Sequence, residues 1–304
     1  MSVPFISFQD GDAVMDWLAL TDALAAGHAL PKAQIGDTFL NRDPDTLLSR
    51  SAWIDGLGSA VKTATIFPQN PSQNKPMIHG SVTLFDDAYG MPEAFLDFHL
   101  VTKWKTAGDS LLAARRLARP DSRNILIVGA GTVGENLYHA YRAAFPDASF
   151  MIWNRTYERA AAFADRLEAR AVQDLETAVG HADIVTSATM STDPVLRGAW
   201  IQPGTHVDLI GAYRPDMREM DDAGLQKANV FVDSFDTTLD HIGEMKIPLD
   251  SGAIVNADVI ADYYNLDAFQ RTSDTQITLF KNGGGAHLDL MTARFVLARW
   301  QATQ

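Results

Sequence analysis

The chain has 304 residues, 46% hydrophobic and 21% charged, the composition of a cored protein of one large or two ordinary domains rather than a disordered one. A formal net charge of -13 repels a phosphate backbone and argues against nucleic acid as the main partner. With no cysteine, disulfides, thiol nucleophiles and thiolate metal sites are excluded, and the eight histidines show no HExxH or comparable spacing, so no metal site is expected.

The N-terminus, "MSVPFISFQDGDAVMDW", lacks the basic and apolar regions of a signal peptide, and no later apolar run is long enough to span a bilayer. A cytoplasmic protein with no membrane partner is expected. An amphipathic helix is predicted from about Asp12 to His28. Four strand candidates follow without helices between them: "TLLSRSAWI", "SAVKTATIF", "IHGSVTLFD" and "PEAFLDF", the last two joined by the turn-like "DAYGM". Such close spacing points to an antiparallel sheet. The helix "TKWKTAGDSLLAARRLA" then runs to "RPDSR", where Pro120 stops it and a domain boundary is expected. Beyond it, short apolar strands alternate with helical patterns: "NILIV", "SFMIW", "DIVTSA", "HVDLIG", "VFVDS" and "QITLF", with helices such as "YERAAAFADRLEARA" between most of them. This alternation predicts a doubly wound α/β domain with a largely parallel sheet. The chain closes on "KNGGGAHLDLMTARFVLARW", three glycines before a helix. That start could offer amides to an anion or be only a flexible turn.

Gly129, Gly131 and Gly134 fit GxGxxG between a predicted strand and a predicted helix. In that setting the first glycine permits a tight turn, the second lets backbone approach a pyrophosphate, and the third lets the helix pack on the strand. An acidic residue about 20 residues further on usually holds the ribose of NAD. Here the second strand ends in Asn154, Arg155 and Thr156. Asn154 carries no charge to repel a 2′-phosphate and Arg155 offers a planar donor for it, so NADP(H) is favoured while NAD(H) stays possible. Removing one like-charge contact at about 4 Å is worth about 1 kcal/mol in water and about 4 at an effective dielectric of 20. On the plainer reading Thr156 caps the next helix and Arg155 is solvated; both can hold together.

"VKTATIFPQN", "VTKWKTAG", "GAGTVGENL", "IWNRT", "PGTHVDLIGAYRPDMREMD", "VFVDS" and "ITLFKNGGGAHLD" together resemble, in order, the ornithine cyclodeaminase and mu-crystallin family, which includes ketimine reductases and alanine dehydrogenases. The resemblance implies a dimerisation and substrate domain with a mainly antiparallel sheet over residues 1–119, completed by a last helix at about 286–304, and a Rossmann domain over 120–285. It implies a homodimer. It places Lys62 at the substrate carboxylate beside the nicotinamide, and Thr106, Gly129, Gly131, Thr132, Val133, Gly134, Asn154, Arg155, Thr156, Thr189, Met190, Gly211, Ala212, Asn282 and Gly284 along the cofactor.

The departures set the subfamily. Where cyclodeaminases carry an Asp two residues before the Pro of "GAYRPD", this chain has Tyr213, and the best match to their distal-amine Glu is Arg50. Where cyclodeaminases commonly carry an acidic ribose contact, this chain has Asn154. Against simple transfer, Lys105 stands where the family has an Arg, and a second carboxylate-gripping Arg has no counterpart around "KAQIGDTF", so a bidentate fork gives way to point charges. The expected activity is reduction of an imino acid, a cyclic ketimine or a linear imine of a 2-oxo acid, to an amino acid. Lys62 would orient the acid group and help keep the imine protonated, with Lys105 and Arg50 as further substrate contacts. His79 and Tyr213 are secondary proton-donor candidates whose plainer role is packing or hydrogen bonding. The alternatives are ornithine cyclodeamination to proline and ammonia, and NADPH binding without catalysis.

Overall fold

The computed structural model describes residues 3–304, in two compact units: residues 3–105 with Gly285–Gln304, and Thr106–Gly284. The first division falls inside a continuous helix, between Lys105 and Thr106, ahead of the expected boundary at Pro120.

In the first unit, β1 (Phe5–Ile6) and α1 (Phe8–Asp12) lead to α2 (Trp17–His28). The helix expected from about Asp12 begins instead at Trp17, and α1 ends at Asp12. Asp16 is extended and its carboxylate accepts from the amide of Ala19, which starts a new helix there. β2 (Gln34–Arg42), β3 (Asp45–Ile54), β4 (Gly58–Ile66), β5 (Ile78–Phe85) and β6 (Pro92–Asp97) form one sheet in the order β1-β6-β5-β4-β3-β2, antiparallel except that β1 runs parallel to β6. β2 was not expected. Every residue of it is exposed, so it shows no buried-face alternation, and Gly36 and Asp37 are poor strand formers. α10 (Ala286–Gln301) packs on one face of this sheet, over the small residues Ala52, Ala60 and Ala64. One row of that face reads Asp37, Arg50, Lys62, Val82, Leu96 and Ile6, polar at one end and fully buried apolar at the other.

α3 (Phe98–Leu117) enters the second unit. There β7 (Asn124–Val128), α4 (Thr132–Ala144), β8 (Ser149–Trp153), α5 (Tyr157–Ala164), β9 (Ala169–Ala171), α6 (Leu175–Gly180), β10 (Ile184–Ser187) and β11 (His206–Leu209) follow one another. Then come α7 (Asp222–Lys227), β12 (Asn229–Val232), α8 (Phe235–Thr238), α9 (Gly243–Ser251), β13 (Val259–Ala261) and β14 (Thr278–Lys281). The strands form one parallel sheet in the order β13-β12-β14-β11-β10-β7-β8-β9. The helix expected over 157–171 ends at Ala164, and its last residues pair with β8 as β9. The order reverses at β7, which lies between β8 and β10. In open α/β sheets such a switch point opens a crevice at the carboxyl ends of the strands.

Candidate functional site

The segments after β7, β8, β10, β11 and β14 all emerge at that carboxyl edge, because the sheet is parallel throughout. They carry every cofactor candidate except Thr106, which lies on α3. Gly129 has φ +116°, and a side chain there would lie 2.7 Å from the carbonyl oxygen of Ala188. At Gly134 a Cβ would stand 2.3 Å from the carbonyl oxygen of Gly129, so helix and turn pack directly on each other. Gly131 differs: a Cβ there would meet nothing within 4 Å. It occupies the N-cap of α4 with no side chain capping the helix, so the first amides, from Thr132, Val133 and Gly134, stay open toward that space. An uncapped 13-residue helix behind an open glycine fits the pyrophosphate of a dinucleotide.

At the ribose end, the Asn154 carboxamide closes the loop in both directions. Its Oδ1 accepts from the amide of Ala130 at 3.3 Å and its Nδ2 donates to the carbonyl of Thr156 at 3.0 Å. Arg155 is exposed and makes no ion pair among the described residues. Thr156 holds the N-cap position of α5, yet its hydroxyl makes no capping bond. The Thr156 cap of the plainer reading is thus not formed.

Thr189 spends its amide and hydroxyl inward, both on Glu219 Oε1 at 2.6 and 2.7 Å, while Met190 is exposed. Thr189 shapes the wall of the crevice with backbone rather than offering it donors. Gly211 is enforced by space, since a Cβ would lie 1.9 Å from the Thr189 oxygen, and Ala212 is buried beside it. Asn282 Nδ2 donates to the carbonyl of Thr106 at 3.0 Å and to Ser110 Oγ at 2.9 Å, tying its loop to α3. The amides of Gly283 and Gly284 both donate to Asp233 Oδ2. Those two amides are therefore engaged, and the triple glycine does not offer them to an anion.

In the first unit, Lys62 and Asp289 form a buried pair, Nζ to Oδ1 at 2.8 Å, with relative exposures of 7% and 1%. Thr102 Oγ1 accepts a second hydrogen bond from Nζ at 2.8 Å, and the Phe98 ring lies 4.6 Å from the ammonium. Burial lowers the Lys62 pKa to about 8, with Asp289 opposing and Lys105 and Arg50 adding to the fall. Burial also works against ionising Asp289, but Lys62, Lys105 and Arg50 outweigh it and hold this carboxylate below its ordinary value. Arg50, directly across from Lys62 on β3, is gripped by Asp37 of β2, with its terminal nitrogen 2.5 Å from Oδ2. Lys105 is buried. Lys62 is bonded to the Asp289 carboxylate, and Arg50 and Lys105 act on it through their charge. His79 does not join them: it pairs with Thr65, which puts it on the opposite face of the sheet, 6.4 Å from His99. Tyr213, in the second unit, is 57% exposed under the Arg214 guanidinium.

Sequence reasoning missed Asp289, Asp37, Thr102 and Glu219. Asp289 lies in the quoted "GGGAHLD", and only its place on the buried face of α10 reveals it. Glu219 and Asp37 had no spacing signal, because Glu219 binds backbone amides and hydroxyls of distant loops and Asp37 itself lies on the unexpected β2.

A model of the ornithine cyclodeaminase/mu-crystallin family matches residues 54–304. The Delta(1)-pyrroline-2-carboxylate reductase of Paracoccus denitrificans is 49% identical over 301 residues, covering 96% of this chain and 95% of that one. Among solved structures, the Thermococcus litoralis Delta(1)-pyrroline-2-carboxylate reductase in complex with NADH and L-proline superposes with a TM-score of 0.89 at 25% identity, covering 98% of each chain. An archaeal alanine dehydrogenase dimer with bound NAD superposes with a TM-score of 0.90 at 26% identity, covering 100% of this chain and 97% of that one.

Proposed function

Because this chain belongs to the ornithine cyclodeaminase/mu-crystallin family, we propose that it is an NAD(P)H-dependent reductase of cyclic imino acids, with Δ1-pyrroline-2-carboxylate as substrate and L-proline as product. The observation that carries this reading is the Lys62 ammonium. It has three N–H donors, two of which go to Thr102 and Asp289, and the third remains for the carboxylate of a substrate. Arg50 and Lys105 add positive charge, and Asp289 keeps the cluster from being a bare cationic pocket that would hold any small anion.

The dinucleotide would be held by the amides at the start of α4, by the glycine turn and by the Asn154–Thr156 loop. When bound, the nicotinamide supplies the hydride that reduces the imine carbon. The chain's own residues place the carboxylate and supply charge. With its pKa lowered to about 8, Lys62 stays mostly protonated at neutral pH and can share a proton with a nearby imine nitrogen. NADP(H) is the preferred form in this proposal, on the strength of a neutral Asn154 and an exposed Arg155 that makes no ion pair among the described residues. Tyr213 and Arg50, in place of carboxylates, favour reduction over ornithine cyclisation. We also propose a homodimer, since the outer face of the six-stranded sheet exposes Phe5, Trp53 and Phe95; sedimentation of the purified protein tests it.

Mixing the protein with NADPH and Δ1-pyrroline-2-carboxylate should consume NADPH absorbance and yield proline, whereas ornithine with NAD should release no ammonia at a catalytic rate. Ammonia from ornithine would replace this reading with cyclodeamination. NADPH binding without turnover of any cyclic or linear imino acid would reduce it to a binding protein.

A further inference from the structure

The carboxyl ends of β10 and β11 are held by one side chain. Glu219 is fully buried, and its carboxylate accepts four hydrogen bonds. Oε1 takes Ser187 Oγ at 2.6 Å, the Thr189 amide at 2.6 Å and the Thr189 hydroxyl at 2.7 Å; Oε2 takes the Gly211 amide at 2.6 Å. Its own backbone is fixed as well. The carbonyl accepts from Val195 and Leu196, and the amide donates to Glu244 Oε2 at 2.6 Å. Glu244 Oε1 accepts the next amide, from Met220, at 3.0 Å. Among the described residues, no basic side chain bonds either carboxylate directly. Lys281 acts on both only through its field, while its Nζ donates to the carbonyls of Leu209 and Asn282.

Two buried carboxylates without a bonded cation are costly to keep. What they hold is the wall of the crevice. The Ala188 oxygen lies 2.7 Å, and Thr189 Cγ2 3.7 Å, from where a Cβ on Gly129 would be, so the loop fixed by Glu219 is the one on which the glycine turn closes. Gly211 is pressed against the same loop.

We propose that Glu219 is a positioning residue of the dinucleotide site: it orders Ala188–Thr189 and Gly211 before the cofactor arrives and so sets the depth of the crevice beside the glycine turn. This rests on the dinucleotide reading above. Preordering of this kind raises affinity by removing the cost of arranging loops on binding. Glutamine has the same shape but presents an NH2 to either Gly211 or the Ser187–Thr189 donors, so one loop must be released.

The test compares wild type, Glu219→Gln and Leu225→Ala, a substitution of a buried residue on α7 that serves as a control for general loss of stability. Two quantities are read: the NADPH dissociation constant by titration calorimetry, and amide hydrogen exchange over residues 187–212 without cofactor. In Glu219→Gln the Thr189 and Gly211 amides should exchange at least tenfold faster and NADPH should bind at least tenfold more weakly. Leu225→Ala should leave NADPH affinity within about twofold. Faster exchange with unchanged affinity would make Glu219 merely structural and overturn the proposal, as would weaker binding with unchanged exchange, or an equal loss of affinity in Leu225→Ala. Failure of wild type to bind either dinucleotide would also overturn it. Wild-type inactivity on imino acids, with NADPH bound, would sink only the substrate reading.

Discussion

Lys62→Met perturbs the buried pair at the centre of the first unit. At 2.8 Å the attraction between Lys62 and Asp289 is about 6 kcal/mol at an effective dielectric of 20, most of it spent offsetting desolvation. Removing the lysine leaves Asp289, 1% exposed, without its hydrogen-bonded cation, and the expected loss is about 3–5 kcal/mol. Arg50 and Lys105 still face the carboxylate, so the lower end is the better expectation. For 304 residues unfolding as one, this corresponds to about 5–8 °C in Tm. Asp289→Asn alone should cost less, because a lysine already held near pH 8 can release its proton. Lys62→Met with Asp289→Asn should recover more than half of the single-variant loss. Linkage adds a second readout. Lys62 has a folded pKa of about 8 against an ordinary 10.5, so between these values the native state binds fewer protons than the unfolded one. Wild type should therefore gain up to about 3 kcal/mol as pH rises across that window, a gain missing in Lys62→Met. Urea unfolding of the four proteins at pH 7, and of wild type and Lys62→Met from pH 7 to 10.5, measures both. Additive effects in the double variant, or identical pH slopes, would refute the reasoning.

Gly131→Ala should leave Tm unchanged, since its Cβ meets only open space, yet weaken NADPH binding at least tenfold by fluorescence titration; Gly134→Ala should lower Tm as well, because its Cβ collides with the Gly129 carbonyl. Asn154→Asp with Arg155→Ala should make NADH the tighter ligand in competitive titration, and equal affinities of wild type for both cofactors would remove the basis of that expectation. Burial and the neighbouring Glu219 raise Glu244 to about 7 from 4.5, so the native state binds the extra proton. Stability should fall by about 3 kcal/mol between pH 4.5 and 7 and level off above, and Glu244→Gln should flatten that slope in urea titrations.

The parallel unit was legible because its strands are short apolar runs bounded by turns. Each of these apolar runs forms a strand, and the glycines took the roles their spacing implied: positive φ at Gly129, open space at Gly131, close packing at Gly134. The edges were not. β2 is exposed on both faces and β9 has three residues, so neither leaves a burial period to read. At the candidate site the cations announced themselves through motif and charge, whereas their counter-charges did not. Asp289 reaches Lys62 from a helix 227 residues away in sequence, and Asp37 reaches Arg50 only through the register of a strand with no pattern of its own. The partner a polar group takes is set by the nearest acceptor in space, here Glu219 for Thr189 and Asp233 for Gly284, and neither acceptor carries a signal in the sequence.

The two hydrogen bonds of Asn154 bear on how cofactor preference can evolve. An aspartate in its place could still accept from the Ala130 amide, but it would turn a second oxygen on the Thr156 carbonyl, which now receives a donor. A lineage moving toward NAD by that single change would loosen the loop between β8 and α5 at the same step that it gains a partner for the ribose. The intermediate would bind both cofactors poorly, unless an earlier, neutral substitution near residue 156 had already turned that carbonyl away. On the NADP(H) preference proposed above, the charge at residue 154 and the loop that carries it would therefore have to change together.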